Sequence, residues 1–203
     1  WALPVVPGTG WATVGGCIAN DVHGKNQATH GSFGNYVMAM NLPLAPTVGG
    51  LGLTGTIEWA AIELERKRMV LPYLFPLDYT PYWYLVKRLG IKQYQCVVPP
   101  KAVPALLKHM PPPLLMSRKV FGDIPSLGVL SFCRSGIAFA LDYLPSTDTR
   151  TLDLVVIDHG GTVNPSKTSM SQAMFRHSFP QWKEFSRFVD PGYSSDFWQR
   201  VSA

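Results

Sequence analysis

The sequence predicts a mixed fold of the α+β or α/β class. The chain has 203 residues, of which 46% are hydrophobic and 12% aromatic, and this composition is that of a packed globular protein and not of a disordered one. It also contains 18 prolines and 18 glycines. Those numbers are high for a helical protein, and they indicate many turns between short strands and helices.

Hydrophobic patterns predict where those elements lie. Alternation of apolar residues predicts strands in "TIEWAAIEL" (56–64) and "IKQYQCVVP" (91–99). Prolines followed by apolar residues three to four apart predict an amphipathic helix in "PKAVPALLKHM" (100–110). The stretch "GVLSFCRSGIAFALDYLP" (128–145) predicts two strands joined at 134–136, and the tail predicts a helix that ends at about Phe179.

Charge and cysteine content narrow the classes of function. A net charge of +5 permits an anionic partner such as a phosphate or an acidic membrane surface. The basic residues carry no zinc-finger, homeodomain or RNA-binding signature, so we expect no nucleic-acid partner. The three cysteines contain no C-x-x-C pair, and we expect no metal site and a reduced compartment. We expect a cytoplasmic protein, or one peripheral at a membrane, with the periplasmic face as an alternative.

Two copies of Thr-Val-Gly-Gly are the most informative local motif. The glycine pairs at 15–16 and 49–50 expose backbone N–H groups where a phosphate or a ring edge could approach, because neither residue has a Cβ. Neither copy matches G-x-G-x-x-G or the P-loop pattern. Each copy alone is more often an ordinary tight turn. Two copies in one chain, the first followed by "HGKN" (23–26), indicate a binding element.

Several polar residues are candidates for chemistry, although each also has a structural interpretation. A lone histidine such as His23 is more often a hydrogen-bonded structural residue, and Lys25 would face the same side if the segment is extended. Lys167 precedes a predicted helix, where a lysine is usually a surface charge. Gln93 and Gln95 share one strand face and suit a sugar or flavin edge, but an exposed strand face explains them at least as well.

The order of motifs along the chain resembles a known family. The motifs are "LPVVPGTGWATVGGCIANDVHGKNQATHGSFGNYV" (3–37), "TVGGLGLTG" (47–55), "FPLD" (75–78), "QYQCVVP" (93–99), "KVFG" (119–122) and "LSF" (130–132). A following "LD", a lysine before "MF", and a late "VDP" continue the series. Together they resemble the FAD-linked oxidoreductases of the vanillyl-alcohol-oxidase superfamily, and most closely the decaprenylphosphoryl-β-D-ribose 2′-oxidase branch.

That resemblance implies an α+β fold with two domains and FAD as the cofactor. A FAD-binding domain of the PCMH type would include residues 1–65, a substrate domain with an antiparallel sheet covered by helices would include 66–189, and 190–203 would return to the FAD domain. The resemblance also implies that the printed chain is part of a longer one. The implied FAD contacts are Pro7, Gly8, Thr9, Gly15, Gly16, Asn20, Val22, His23, Gly24, Gly50, Gly52 and Ile57.

The resemblance further implies the reaction and its residues. A secondary alcohol of a sugar, such as a lipid-linked or phosphorylated pentose, would lose a hydride to the flavin while a base takes the hydroxyl proton, giving a ketone in cell-wall biosynthesis. His23 and Lys167 are the implied catalytic residues. The implied substrate-binding residues are Lys25, Gln95, Lys119 and Lys167.

Four positions depart from the family pattern. Leu51 and Ala138 replace family asparagines, Asn164 replaces a tyrosine, and Ala140 replaces a cysteine beside the flavin. These changes leave alternatives open. The chain could be a flavoprotein that acts on another polyol or a lactone, or a non-catalytic module that binds flavin or polyprenyl phosphate.

Overall fold

The structure is a computed structural model that describes residues 1–66, 81–168 and 170–203. Its described part divides into two compact units, each built from three stretches of chain. The first unit contains 1–66, Ile124–Cys133 and Gln181–Ser195, and the second contains Pro81–Asp123, Arg134–Pro180 and Asp196–Ala203. The units are therefore interleaved along the chain, whereas the sequence predicted boundaries at 65 and 190. The functional assignment of the predicted domains stays a prediction.

Helices and antiparallel strands both occur, as the predicted α+β class requires. The helices and strands are short. In chain order they are α1 (Val14–Ala19), α2 (Gln27–His30), β1 (Val37–Met40), α3 (Leu44–Thr47), β2 (Ala60–Ile62), α4 (Pro81–Leu89), β3 (Lys92–Val98), α5 (Val103–His109), β4 (Leu115–Phe121), β5 (Gly136–Tyr143), α6 (Arg150–Asp158), β6 (Thr162–Val163), α7 (Gln172–Ser178), α8 (Trp182–Phe185) and α9 (Asp196–Ser202).

In the first unit a small apolar core lies beside a two-stranded sheet. β1 pairs with β2 in antiparallel register, which confirms the strand predicted in 56–64. Half-buried residues such as Val22 and Ile57 pack against the core. The buried core residues are Val5, Cys17, Ile18, Phe33, Val37, Met40 and Val48.

The second unit is built on a four-stranded antiparallel sheet in the order β4-β5-β3-β6. β3 confirms the strand predicted in 91–99, and α5 confirms the helix predicted in 100–110. The hydroxyl of Tyr94 in β3 donates a 2.8 Å hydrogen bond to Asp153 in α6, so this face of β3 is turned towards the helices. Successive strand residues point to opposite faces. Gln93, Gln95 and Val97 therefore share the other face.

One of the two strands predicted in 128–145 is wrong, and the other is confirmed as β5. β5 is the only strand that the structure describes within 128–145, because residues 128–133 belong to the first unit and the chain enters the second unit at Arg134. Ser131 explains this departure. Its hydroxyl donates a 2.6 Å hydrogen bond to the buried carboxylate of Asp21, a contact that an alternating apolar pattern does not reveal.

The carboxylate of Asp21 joins three stretches of the first unit. Asp21 is 1% exposed, and it accepts hydrogen bonds from the Gly34 N–H at 2.8 Å, the Ser32 hydroxyl at 2.9 Å and the Ser131 hydroxyl at 2.6 Å. A side chain at Gly34 would collide with Val48 and approach an oxygen of Asp21 to 2.8 Å. The "GSFGN" motif is thus shaped to let a backbone N–H reach this carboxylate.

Substitution of Asp21 by Ala should destabilise the protein strongly. It would remove the acceptor of the buried Gly34 N–H and Ser131 hydroxyl, and one of the partners of the Ser32 hydroxyl, which also lies 3.1 Å from Asn35 Oδ1. Each buried donor left unsatisfied costs about 1–3 kcal/mol. We expect a loss of about 3 kcal/mol or more in the free energy of unfolding, measured by urea denaturation. Asp148→Ala is the matched control, because Asp148 is exposed and pairs only with the exposed Arg150 among its described contacts. An unchanged urea midpoint for Asp21→Ala would contradict this role.

Candidate functional site

The first Thr-Val-Gly-Gly copy forms the start of a helix and not the predicted turn. Gly15 and Gly16 lie in the first turn of α1, and Thr13 is its N-cap. The Gly16 N–H donates a 3.0 Å hydrogen bond to the Thr13 hydroxyl oxygen. A Cβ at Gly16 would lie 3.1 Å from that oxygen. The cap itself therefore favours a glycine at position 16.

The second copy lies directly against the end of α1. The Gly49 N–H donates to the Ile18 carbonyl at 2.9 Å, and the Leu51 N–H donates to the Ala19 carbonyl at 2.7 Å. The two copies, which are 34 residues apart in the sequence, are thus neighbours in the fold. Leu51 has a φ of 56°, a left-handed conformation that asparagine adopts more readily than leucine. This explains in backbone terms why the family pattern has asparagine there.

Two of the implied cofactor glycines, Gly8 and Gly15, have open space where a side chain would lie. An ideal Cβ at Gly8 or Gly15 meets no atom of the described residues within 4 Å, and neither residue has a positive φ. Packing and backbone conformation in the described part of the chain therefore do not require glycine at these positions. A backbone left bare in this way can be approached closely by a flat or phosphorylated ligand.

Other implied cofactor residues have clear roles in the fold. Asn20 caps the end of α1 and donates through its side chain to the Gly16 carbonyl at 3.0 Å. Gly24 and Gly50 are tightly packed, because a Cβ would approach the carbonyl oxygens of Val6 and Pro46 respectively. Val22 and Ile57 pack on the apolar core of the first unit. Gly52 has a φ of 74°, a left-handed conformation that favours glycine. The Thr9 hydroxyl accepts a hydrogen bond from the Trp11 N–H, and Pro7 is half-buried.

His23 and Lys25 do not share a continuous extended segment. His23 forms an isolated antiparallel bridge with Ser32, is half-buried, and places its ring 5.9 Å from the ring of Phe132. Lys25 is exposed in the turn that follows. The predicted alternation therefore stops at Gly24. A common binding role for the two side chains stays a prediction.

In the second unit the sheet register aligns two of the implied substrate residues. Gln95 in β3 lies opposite Ala140 in β5, which lies opposite Ser117 in β4. In the next row of the same face Val97 lies opposite Ala138, which lies opposite Lys119. Gln95 and Lys119 thus point to one face of the sheet. The small side chains of Ala138, Ala140 and Ser117 lie between them in the sheet register.

Lys167 is tied to this face through Asn164. Asn164 donates from Nδ2 to Gln95 Oε1 at 2.8 Å, and its backbone N–H donates to the Gln95 carbonyl at 2.8 Å. The Lys167 N–H donates to the Asn164 carbonyl at 3.2 Å, in the turn after β6. Thr168 closes the turn by donating from its hydroxyl to the Gln93 carbonyl at 3.3 Å. The Lys167 side chain itself is exposed.

Part of the chain is similar to an oxidase. Over 80 residues it is 46% identical to the decaprenylphosphoryl-beta-D-ribose oxidase of Mycolicibacterium smegmatis, which covers 30% of this chain and 17% of that protein. It is also 36% identical over 80 residues to an uncharacterized protein in the mprA 5′ region of Streptomyces coelicolor, covering 32% of this chain and 22% of that protein. No protein-family model matches the chain. The similarity thus spans less than a quarter of either relative.

Two of the three buried thiols, those of Cys17 and Cys96, lack the lowered pKa of a nucleophile or metal ligand. Burial raises the pKa of Cys96 to about 12 and also raises the pKa of Cys17, so both sulfurs stay protonated at neutral pH. Among the described residues no group of three or more histidine, cysteine, aspartate or glutamate side chains is placed to hold a metal ion. In the same part of the chain no helix combines the length and apolar character needed to cross a membrane.

Sequence reasoning missed Asp21 as a site-forming residue and underrated Asn164. Asp21 lies two residues before the "HGKN" motif, but its partner Ser131 is 110 residues away. Asn164 was identified only as a departure from a family tyrosine, and its partner Gln95 is 69 residues away. The available signal was a polar residue with a short side chain next to a valine, Val22 in one place and Val163 in the other.

Proposed function

We propose that this chain is part of an FAD-dependent oxidoreductase that oxidises a secondary alcohol of a sugar to a ketone. The sugar is a pentose that carries a phosphate or a phosphate-linked lipid. The observation that carries the proposal is the 46% identity over 80 residues to an oxidase whose name specifies a decaprenylphosphoryl ribose. The two sets of residues described above agree with it in chemistry.

The first unit has features that fit a flavin cofactor. The adjoining Thr-Val-Gly-Gly copies place bare backbone at Gly8 and Gly15, where a Cβ would project into open space among the described residues. We assign these glycines, with Pro7 and Thr9, to direct cofactor contact. Asn20, Val22, Gly50 and Ile57 would support that surface from behind. When bound, the flavin supplies the acceptor for the two electrons that leave the alcohol carbon.

The second unit has features that fit an oxygen-rich anionic substrate. Gln95 and Lys119 share a sheet face, and Lys167 lies in the turn bonded to Gln95. Ammonium and amide N–H groups donate hydrogen bonds to hydroxyl and phosphate oxygens. We assign Lys119 to substrate binding. Lys167 Nζ either takes the hydroxyl proton or, when charged, stabilises the developing alkoxide.

The principal alternative is a module that binds flavin or a polyprenyl phosphate without catalysis. Two observations favour it: Asn164 and Ala140 stand where the family pattern has tyrosine and cysteine, and the Asn164 side chain is engaged by Gln95 and Ser166. Another polyol or a lactone as substrate would differ only in the pocket. A screen of sugars for flavin reduction separates these cases.

Gly15→Ala tests the cofactor surface more sharply than a change at Gly16. Alanine at position 15 meets no described atom within 4 Å, and alanine in a helix is favoured over glycine by up to about 1 kcal/mol. We expect equal or higher thermal stability without FAD and about tenfold weaker FAD binding, measured by flavin fluorescence titration. Tenfold corresponds to about 1.4 kcal/mol.

Gly16→Ala is the matched control for this change. It brings a methyl group to 3.1 Å from the Thr13 hydroxyl oxygen, so its thermal stability without FAD shows what crowding of the cap alone does. If Gly15→Ala binds FAD as tightly as the native protein, Gly15 does not contact the cofactor.

Lys167→Met tests the catalytic assignment. Methionine keeps much of the apolar stem but can neither take a proton nor stabilise an anion. We expect the variant to fold, to bind FAD and to be reduced by dithionite, while flavin reduction by the sugar slows by roughly 10²–10⁴-fold in rapid-mixing experiments. Lys167→Arg should restore part of the rate only if the charge matters, because a guanidinium does not act as a base.

Lys108→Met is the control for loss of a surface lysine, since Lys108 is exposed in α5 on the helical side of the second unit. In Lys108→Met the sugar should reduce the bound flavin at the rate of the native protein. If the sugar also reduces the flavin of Lys167→Met at the native rate, Lys167 is a surface charge and not a catalytic residue.

A further inference from the structure

A cavity of about 420 Å³ lies in the second unit, at the end of β3. Small-molecule sites have volumes of about 300–1,000 Å³, so this cavity is large enough for one small ligand. It is lined by the end of β3, the residues before β5, the turn between α6 and β6, and the C-terminal end of α7. Gln95, Lys119 and Lys167 are not among the lining residues. The cavity is therefore not formed by the residues assigned above to the sugar.

The lining of this cavity is positively charged. Its ionisable side chains are Arg134 and His177, and neither an aspartate nor a glutamate contributes to it. Arg134 is exposed, and its guanidinium Nη2 lies 3.5 Å from the Ser178 carbonyl oxygen. The guanidinium is permanently charged, so its attraction for an anion persists whichever of its five N–H groups are engaged. Its planar fork matches the oxygens of a carboxylate or a phosphate.

The backbone determines which nitrogen of the neutral His177 ring carries the hydrogen. Nε2 lies 3.1 Å from the Gly161 carbonyl oxygen, and a carbonyl can only accept, so Nε2 is the donor. Nδ1 of the neutral ring is then an acceptor. Within the part of the chain that the structure describes, Nδ1 has no hydrogen-bond partner. His177 thus brings to the cavity lining a nitrogen that suits a hydroxyl donor.

Arg134 and His177 lie close together. Arg134 contacts the carbonyl of Ser178, which is the residue that follows His177 in the chain. Ser135 adjoins Arg134, and its exposed side chain also lines the cavity. Donors for an anionic group and an acceptor for a hydroxyl therefore lie within reach of one small molecule.

We propose that this cavity binds a small organic anion with a hydroxyl next to its carboxylate or phosphate, at a site that the proposed oxidation does not use. The anionic group contacts Arg134 and Ser135, and the hydroxyl donates to His177 Nδ1. The carbon skeleton lies against Val98 and Pro99, which form apolar parts of the lining. An anion without the hydroxyl loses one hydrogen bond, and a neutral diol loses the attraction to the guanidinium.

Matched probes test this recognition without turnover. L-lactate has both groups, propionate lacks the hydroxyl, and 1,2-propanediol lacks the charge. Their binding to the purified full chain is measured by ligand-observed NMR titration at about pH 8, where histidine side chains are ordinarily neutral. We expect lactate to bind with a dissociation constant on the order of 1 mM, propionate to bind about fivefold more weakly, and propanediol to bind more than about tenfold more weakly.

Competition distinguishes the two kinds of anionic group. Displacement of lactate by glycerol 3-phosphate shows that the cavity accepts a phosphate beside a hydroxyl. Displacement by D-glycerate and not by glycerol 3-phosphate restricts the anionic group to a carboxylate.

Two substitutions separate the contributions of Arg134 and His177. Arg134→Met should weaken lactate and propionate alike by about tenfold or more. His177→Gln keeps an N–H donor for the Gly161 carbonyl but removes Nδ1, so lactate should bind no better than propionate while propionate binding is unchanged. Arg88→Met is the matched control for loss of a surface arginine, because Arg88 is exposed in α4 and does not line the cavity.

Three results would each overturn the proposal: lactate bound no more tightly than propanediol by the native protein, equal effects of Arg134→Met and Arg88→Met, or equal losses of both acids in His177→Gln. No arm of the experiment depends on flavin reduction. Failure of every sugar to reduce the flavin would overturn the proposed oxidation alone.

Discussion

The buried Asp21 carboxylate is the interaction on which the first unit depends. A carboxylate out of contact with water must be satisfied by hydrogen bonds, and Asp21 obtains them from two other stretches of the chain, through Ser32 and Gly34 in one and Ser131 in the other. Asp21 itself has a φ of 42°, so the chain turns sharply at the point where its side chain enters the core. The segment before it is thereby held in place. That segment includes α1 and the first Thr-Val-Gly-Gly copy.

The hydrogen bonds of Asp21 help to explain how the glycine-rich segment before it keeps a defined conformation without side chains packed over Gly15. A chain with bare backbone loses more conformational entropy on folding than one with side chains, and it needs contacts elsewhere to hold it. Here α1 is capped by Thr13 at one end, and at the other it accepts hydrogen bonds from Gly49 and Leu51. The hydrogen bonds fix both ends of α1, while an ideal Cβ at Gly15 meets no described atom within 4 Å. The cofactor surface proposed above would need this combination.

In the second unit, polar groups are held in a comparable way. Asn164 uses its side-chain oxygen, its side-chain nitrogen and both backbone groups, so that one residue connects β3 with the turn after β6. On the opposite face of β3 the buried Tyr94 donates to Asp153, and burial raises the pKa of both groups. One face of the sheet is therefore devoted to packing against helices. On the other face Gln93 and Gln95 are held by hydrogen bonds to Asp142 and Asn164 respectively.

The sequence was sufficient for the features that depend on local pattern. Alternation identified β3, helical spacing identified α5, and the motif order indicated the family resemblance that the oxidase match supports over 80 residues. It failed at 128–133, because Ser131 is drawn out of the sheet pattern by a partner 110 residues away. It also could not distinguish Gln93 from Gln95. Their roles depend on Asp142 and Asn164, which lie 49 and 69 residues further along the chain.

The most direct test of the account is whether the full chain holds FAD and transfers electrons to it from a sugar. The protein should be purified, its absorbance spectrum recorded, and the flavin released by denaturation quantified against protein. The account predicts a yellow protein with stoichiometric FAD whose long-wavelength band bleaches when a phosphorylated pentose is added without oxygen. A colourless protein that releases no FAD and takes up none when it is supplied would contradict the account.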